Sequence, residues 1–191
     1  MNPPSAGKRK TAVVVMGVAG CGKSTVGQIL SRRLGWSFAE ADDFHSAANV
    51  AKMASGTPLT DEDRRPWLES IRAWIDATAG DSVVTCSALR RSYRDILRGA
   101  QANVRFLHLS GTEEGIGARM AARADHFMPP SLLESQLATL EPLAADEDGV
   151  VIEVTGTPDE IATSAIKSLG LLEAETREST FEQDQTSRPG A

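Results

Sequence analysis

Residues Thr11 to Thr25, TAVVVMGVAGCGKST, set an aliphatic run of strand length against a glycine-rich turn that opens a helix. Gly17-Val18-Ala19-Gly20-Cys21-Gly22-Lys23-Ser24 satisfies GxxxxGK[ST] in full. Phosphate oxygens need several backbone N–H groups converging on one centre, in turns that side chains obstruct; Gly17, Gly20 and Gly22 remove the obstruction. Val18, Ala19 and Cys21 then contribute main-chain amides. The helix that follows turns its positive dipole end toward the anion, with Lys23 in reach of the outer phosphates, the Ser24 hydroxyl on Mg2+ and Thr25 assisting. A plain strand-to-helix turn would instead leave Lys23 at a helix end that disfavours a cation. The stretch reads as a phosphate-binding loop.

Outward from it, further strand-length runs occur at Trp36 to Ala39, Ser82 to Cys86, Val104 to Leu109 and Val150 to Val154. Helical stretches separate them: Lys23 to Leu34 stopped by Gly35, a polar pair between Asn49 and Ala79, Arg90 to Arg98, Thr112 to Ala122, Leu132 to Leu140, and Pro158 to Leu169 stopped by Gly170. Near-continuous apolar strands alternating with helices predict an α/β fold, a five-stranded parallel sheet with helices on both faces. Residues 1–10 and 173–191 lack the aliphatic content to offset chain entropy and are expected to be disordered, leaving one domain over 11–172.

Among the 191 residues, 41% are hydrophobic and 24% charged, a soluble globular balance. A formal charge of -6 argues against nucleic acid as partner, so any anion must be held by local groups. No apolar run is long enough to cross a bilayer, and MNPPSAGKRK has no hydrophobic stretch behind its charges, so no membrane partner and a cytoplasmic location are expected. Cys21 and Cys86 are too few for a disulfide framework or a CxxC metal site; both are expected as free thiols, near each other at one rim of the sheet.

The third strand ends without a carboxylate, whereas the second runs into Glu40-Ala41-Asp42-Asp43-Phe44-His45. Acidic residues at the carboxyl end of a parallel strand face the rim where open α/β folds bind ligands; alternatively Asp42 and Asp43 only begin a turn. Arg119 and Arg123 share one helix face by spacing, with surface arginines as the competing account. Arg94 and Arg98, with Asp95 beside them, read as a salt-bridged surface, and Trp67, Leu68, Ile71 and Trp74 as core.

Asp42 to Leu68, DDFHSAANVAKMASGTPLTDEDRRPWL, closely resembles the gluconokinase signature. The likeness continues through Cys86-Ser87-Ala88-Leu89 with Tyr93-Arg94-Asp95, and through Arg119 to Phe127 with Leu133, Ser135, Gln136, Leu140, Glu141 and Pro142. The resemblance implies an ATP- and Mg2+-dependent kinase of D-gluconate, related in fold to shikimate and nucleoside monophosphate kinases and working as a homodimer. It implies Asp42 as the carboxylate that orients the 6-hydroxyl and takes its proton, and Lys23 and Arg123 as its partners in catalysis. Glu40 stands where relatives carry an Asp near the metal, and Arg90 where they commonly carry Lys. It further implies His45 and Arg64 in the acceptor pocket, joined by His126 and Gln136; Arg119 against the nucleotide; and Arg123 on a short lid at about residues 123–131. A same-fold kinase of another small acid such as shikimate is the nearest alternative, and a non-catalytic nucleotide-binding module the next. Such a module has no need of Asp42, Arg64 and Arg123 together.

Overall fold

The computed structural model describes residues 9–121 and 130–171. Five strands are present in these residues: β1 (Thr11–Met16), β2 (Ser37–Glu40), β3 (Ser82–Thr85), β4 (Asn103–Ser110) and β5 (Gly149–Glu153). All adjacent pairs are parallel, in the order β2-β3-β1-β4-β5. The helices are α1 (Lys23–Leu34), α2 (Ala47–Ala54), α3 (Asp61–Ala77), α4 (Arg91–Arg98), α5 (Glu113–Ala121), α6 (Pro130–Thr139) and α7 (Pro158–Ser168). None of them is long and apolar enough to cross a membrane.

The period-2 geometry of β1 explains its unbroken apolar run. Val13 and Val15 pack on one side with α1 and α7 residues such as Leu30 and Ile161. Ala12, Val14 and Met16 pack on the other with Leu68 and Ile71 of α3 and Leu97 of α4. The chain therefore leaves β1 toward one face and β3 toward the other. Strands 1 and 3 lie side by side at the resulting switch point, where a crevice opens beyond their carboxyl ends. Lys10, just ahead of β1, anchors the opposite end by donating its Nζ to the carbonyls of Asp76 and Thr78 at 2.8 and 2.6 Å.

Local signals set the helix ends. Thr60 and Thr157 accept from the amides three residues on, with Asp63 and Glu160 returning the bond to the cap backbone. Gly35 closes α1 in the left-handed conformation, φ 67°. Pro130 occupies the first position of α6, two residues earlier than the apolar pattern suggests, because a helix start has no use for the amide proline lacks. A short 3-10 helix, Ala41–Phe44, follows β2, so Asp42 and Asp43 sit on a turn just past the strand rather than on it.

Candidate active site

The phosphate loop occupies the crevice end of β1. Gly17 has φ 137°, and a Cβ there would come within 2.6 Å of the Leu109 carbonyl oxygen and 2.9 Å of Cys21 Sγ, so glycine alone lets β4 approach the loop. Gly22 caps α1 in the left-handed region without any side-chain bond, and no acidic residue occupies the first turn. The leading amides of α1 thus have neither a capping oxygen nor a carboxylate, the condition in which a helix N-terminus accepts an anion. Lys23 folds its Nζ onto the carbonyls of Gly17 and Val18 at 3.1 and 2.9 Å, which keeps the ammonium over the loop. Ser24 and Thr25 are exposed, while Val18 and Cys21 are buried beneath.

Two neighbouring segments brace the loop. The Gly17 amide donates to the Ser87 carbonyl at 3.3 Å, in the turn after β3. The Ala19 amide donates to Gln136 Oε1 of α6 at 2.7 Å, so Gln136 contacts the phosphate loop itself. Arg119, on α5, gives one terminal nitrogen to the carbonyls of Val154 and Gly156, at the exit of β5. Arg123 and His126, and most of the expected lid, lie outside the described residues, as do the two chain ends.

On the acceptor side, Glu40 is the register partner of Thr85, and its carboxylate accepts the Thr85 hydroxyl hydrogen bond. Asp42 projects from the 3-10 turn with its side chain 93% exposed, 4.0 Å from His45 Nε2. The His45 imidazole is nearly the reverse, 6% exposed and stacked on Trp67 with ring centroids 4.4 Å apart and an interplanar angle of 12°. Burial holds its pKa below the usual histidine value, with the Asp42 charge opposing and Arg64 assisting, so His45 is neutral near pH 7. Trp67 donates its indole N–H to the Ala41 carbonyl at 2.6 Å, which fixes the turn that carries Asp42.

Tyr93 gathers the cationic side of the site. The guanidinium carbons of Arg64 and Arg90 lie 5.8 and 5.9 Å from its ring centroid. Its hydroxyl donates to Asp61 at 2.5 Å, and that bond, followed by Arg90, holds the Asp61 carboxyl below the usual range. Arg64 is steadied at Nε by the Leu59 carbonyl, 3.4 Å away. Lys52, which sequence alone leaves without a role, pairs with Asp63 at 2.7 Å and ties α2 to α3.

One expectation needs correction. Arg94 is no surface residue: its side chain is fully buried, with Nε 2.6 Å from Glu147 Oε1. Arg98 does remain at the surface, on Asp95 at 3.0 Å. Helical spacing is blind to the 141–147 segment that covers Arg94. The cysteines are free and buried, as expected, Cys21 in the loop after β1 and Cys86 directly after the adjacent β3; they face opposite core clusters, Cys21 packing with α1 and Cys86 with α3 and α4. Burial pushes both thiols up, that of Cys86 to about 12.

Comparison with known proteins places this architecture. The shikimate kinase family model matches residues 19–170. A gluconokinase of Gluconobacter oxydans strain 621H is 47% identical over 166 residues, covering 84% of this chain and 92% of that protein. The thermosensitive gluconokinase of Escherichia coli strain K12 is 44% identical over 144 residues, 72% of this chain and 75% of its own length. Among solved structures, a gluconokinase from Sinorhizobium meliloti 1021 is 40% identical with a TM-score of 0.78, covering 93% of this chain and 99% of the other. An unliganded sugar kinase from Janibacter sp. HTCC2649 is 50% identical with a TM-score of 0.79, covering 85% and 95%. A P-loop at the crevice end of β1, an acidic turn after β2 and these likenesses lead to one assignment: the chain belongs to the shikimate kinase family and, within it, to the gluconokinases.

Proposed function

We propose that the chain transfers the γ-phosphoryl group of ATP to the 6-hydroxyl of D-gluconate, releasing ADP and 6-phospho-D-gluconate. The observation that carries this reading is the pairing, at one sheet rim, of an uncapped glycine-rich helix start with the exposed Asp42 carboxylate on a gluconokinase framework. Phosphoryl transfer asks a protein for alignment and charge neutralisation more than for covalent chemistry. The loop amides from Gly17 to Ser24, with Lys23, hold the phosphates, and Arg119 stands beside the nucleotide. Asp42 accepts the proton of the attacking hydroxyl; its exposure leaves it free to meet the substrate, and a neutral His45 leaves its charge uncompensated. Arg64 offers a planar fork to the acceptor's carboxylate. His45, His126 and Gln136 complete the acceptor pocket in this reading, and Arg123 meets the transferring group.

The residues present also suit Mg2+. Hard oxygen donors, the exposed Ser24 hydroxyl and the Glu40 carboxylate, are those that would hold it, Thr85 orienting the latter. When bound, the ion neutralises charge on the phosphate oxygens. A homodimer, which rests on the family resemblance, and a cytoplasmic location complete the proposal.

The test is a coupled ADP-release assay with gluconate, ATP and Mg2+, each omitted in turn, and with shikimate and other sugar acids as competing acceptors. Turnover that requires gluconate is expected. ATP binding without acceptor-stimulated turnover, or a preference for another acid, overturns the assignment of substrate.

A further inference from the structure

The buried Arg94 guanidinium joins the turn after β3, which braces the phosphate loop, to the chain that leaves α6. Nε and Nη2 meet the two Glu147 oxygens at 2.6 and 3.0 Å, a bidentate pair with neither side chain exposed. Nη1 donates to the carbonyls of Ala88, Leu89 and Glu141 at 3.2, 3.3 and 3.1 Å, and Nη2 to that of Pro142 at 3.1 Å. One planar group thereby holds the turn after β3 and the chain leaving α6. The first of these carries the Ser87 carbonyl that receives the Gly17 amide, and the second continues directly from α6, whose Gln136 receives the Ala19 amide. A direct bond from the Glu141 amide to the Leu89 carbonyl, 2.8 Å, closes the ring.

Within that ring Ala88 has φ 43°, the only positive value at a non-glycine among the described residues. An L-residue reverts from this conformation unless its surroundings over-determine it. Ala88 is buried and its carbonyl is spoken for by Arg94, which supplies the constraint. The next residues of the same turn carry Arg90, the backbone cap of α4, toward Asp61 and Tyr93 on the acceptor side.

We infer that Arg94, with Glu147, is a positioning residue for phosphoryl transfer: it locks the turn at Ala88 and so keeps the phosphate loop and the Arg90 side of the acceptor pocket in register. The inference rests on the phosphoryl-transfer reading above. Lysine preserves the charge against Glu147, but its single nitrogen cannot span the carboxylate and the carbonyls on both segments at once. Misplacing reacting groups by a fraction of an ångström lowers turnover without abolishing binding.

The experiment compares wild type, Arg94→Lys, Ala88→Gly and the double variant for kcat, for the KM of ATP and of gluconate, and for melting temperature. Assays run at a temperature where near-ultraviolet circular dichroism shows every variant folded. Arg94→Lys is expected to lower kcat about tenfold or more while the KM for ATP moves less. Adding Ala88→Gly should recover most of that loss, because glycine takes the left-handed backbone unaided. Unchanged kcat in Arg94→Lys overturns the inference, as does a loss that Ala88→Gly fails to recover. Should Arg94→Lys not fold, Glu147→Gln, of equal size and still able to accept from Nε, carries the same comparison with the same two outcomes. Wild type in the same run keeps the questions apart, since its failure to phosphorylate gluconate would sink the reaction assigned above and not the lock.

Discussion

Gly17→Ala tests the packing of the phosphate loop against the sheet. The added methyl would lie 2.6 Å from the Leu109 carbonyl oxygen, a backbone atom inside the β4–β5 ladder, and 2.9 Å from the buried Cys21 Sγ. Neither neighbour is the far end of a flexible side chain, so the contact is relieved only by shifting the loop or β4. Overpacking of this kind costs about 1–3 kcal/mol. A φ of 137° adds about 1–3 kcal/mol for any residue with a Cβ. The sum, roughly 2–6 kcal/mol, lowers the melting temperature of a domain this size by about 2–4 °C per kcal/mol, or roughly 4–24 °C. Gly22→Ala is the internal control: its φ of 101° is also unfavourable, but nothing lies within 4 Å of the new methyl, so only the backbone cost applies. Thermal unfolding followed by circular dichroism, without nucleotide, isolates these effects from ligand binding. If Gly22→Ala proves as destabilising as Gly17→Ala, the steric argument is wrong and backbone conformation alone governs the loop.

Three further outcomes are expected. Asp42→Asn should lower kcat by about a hundredfold or more while ATP binding, by titration calorimetry, and melting temperature hold, because the side chain is 93% exposed and the His45 imidazole beside it, 4.0 Å away, is neutral; comparable turnover would remove Asp42 as base. Burial lowers the pKa of His45 and of His108 below 6.5 in the fold, so below pH 6.5 the unfolded chain binds more protons and stability falls as pH drops toward the folded values. The slope is at most about 1.4 kcal/mol per pH unit for each histidine, and urea titrations from pH 7.5 to 5.5 should show it shrink in His108→Gln; a flat profile contradicts the burial argument. Finally, iodoacetamide at pH 7.5 should leave Cys21 and Cys86 unmodified in the native protein and label both in denaturant, since both are buried with raised thiol pKa values; rapid native labelling of Cys86 would contradict its burial.

The residues of the acceptor side show how far sequence reading reached and where it stopped. Asp42 was legible because a carboxylate after the second strand of a P-loop protein lies at the ligand rim whatever the side-chain details. Its seat on a 3-10 turn, fixed by the Trp67 indole, was not, because that hydrogen bond joins residues 26 apart. His45 and Gln136 were singled out by resemblance, but chemistry in sequence could not reveal that one stacks on Trp67 or that the other accepts from the Ala19 amide.

By itself the sequence determined what depends on neighbours in the chain. β1 spans Thr11–Met16 and α1 spans Lys23–Leu34, as read, because strand alternation, the glycine loop and the Gly35 stop act within one or two turns. Parallel pairing followed from apolar strands alternating with helices. Tertiary structure alone decided the strand order, which depends on the face toward which each crossover turns, and the fate of Arg94. On a helix surface, Arg94 and Arg98 beside Asp95 look alike; one is buried because Glu147, 53 residues on, folds over it. Burial of an ion pair is a property of what covers it, and no local pattern encodes the cover.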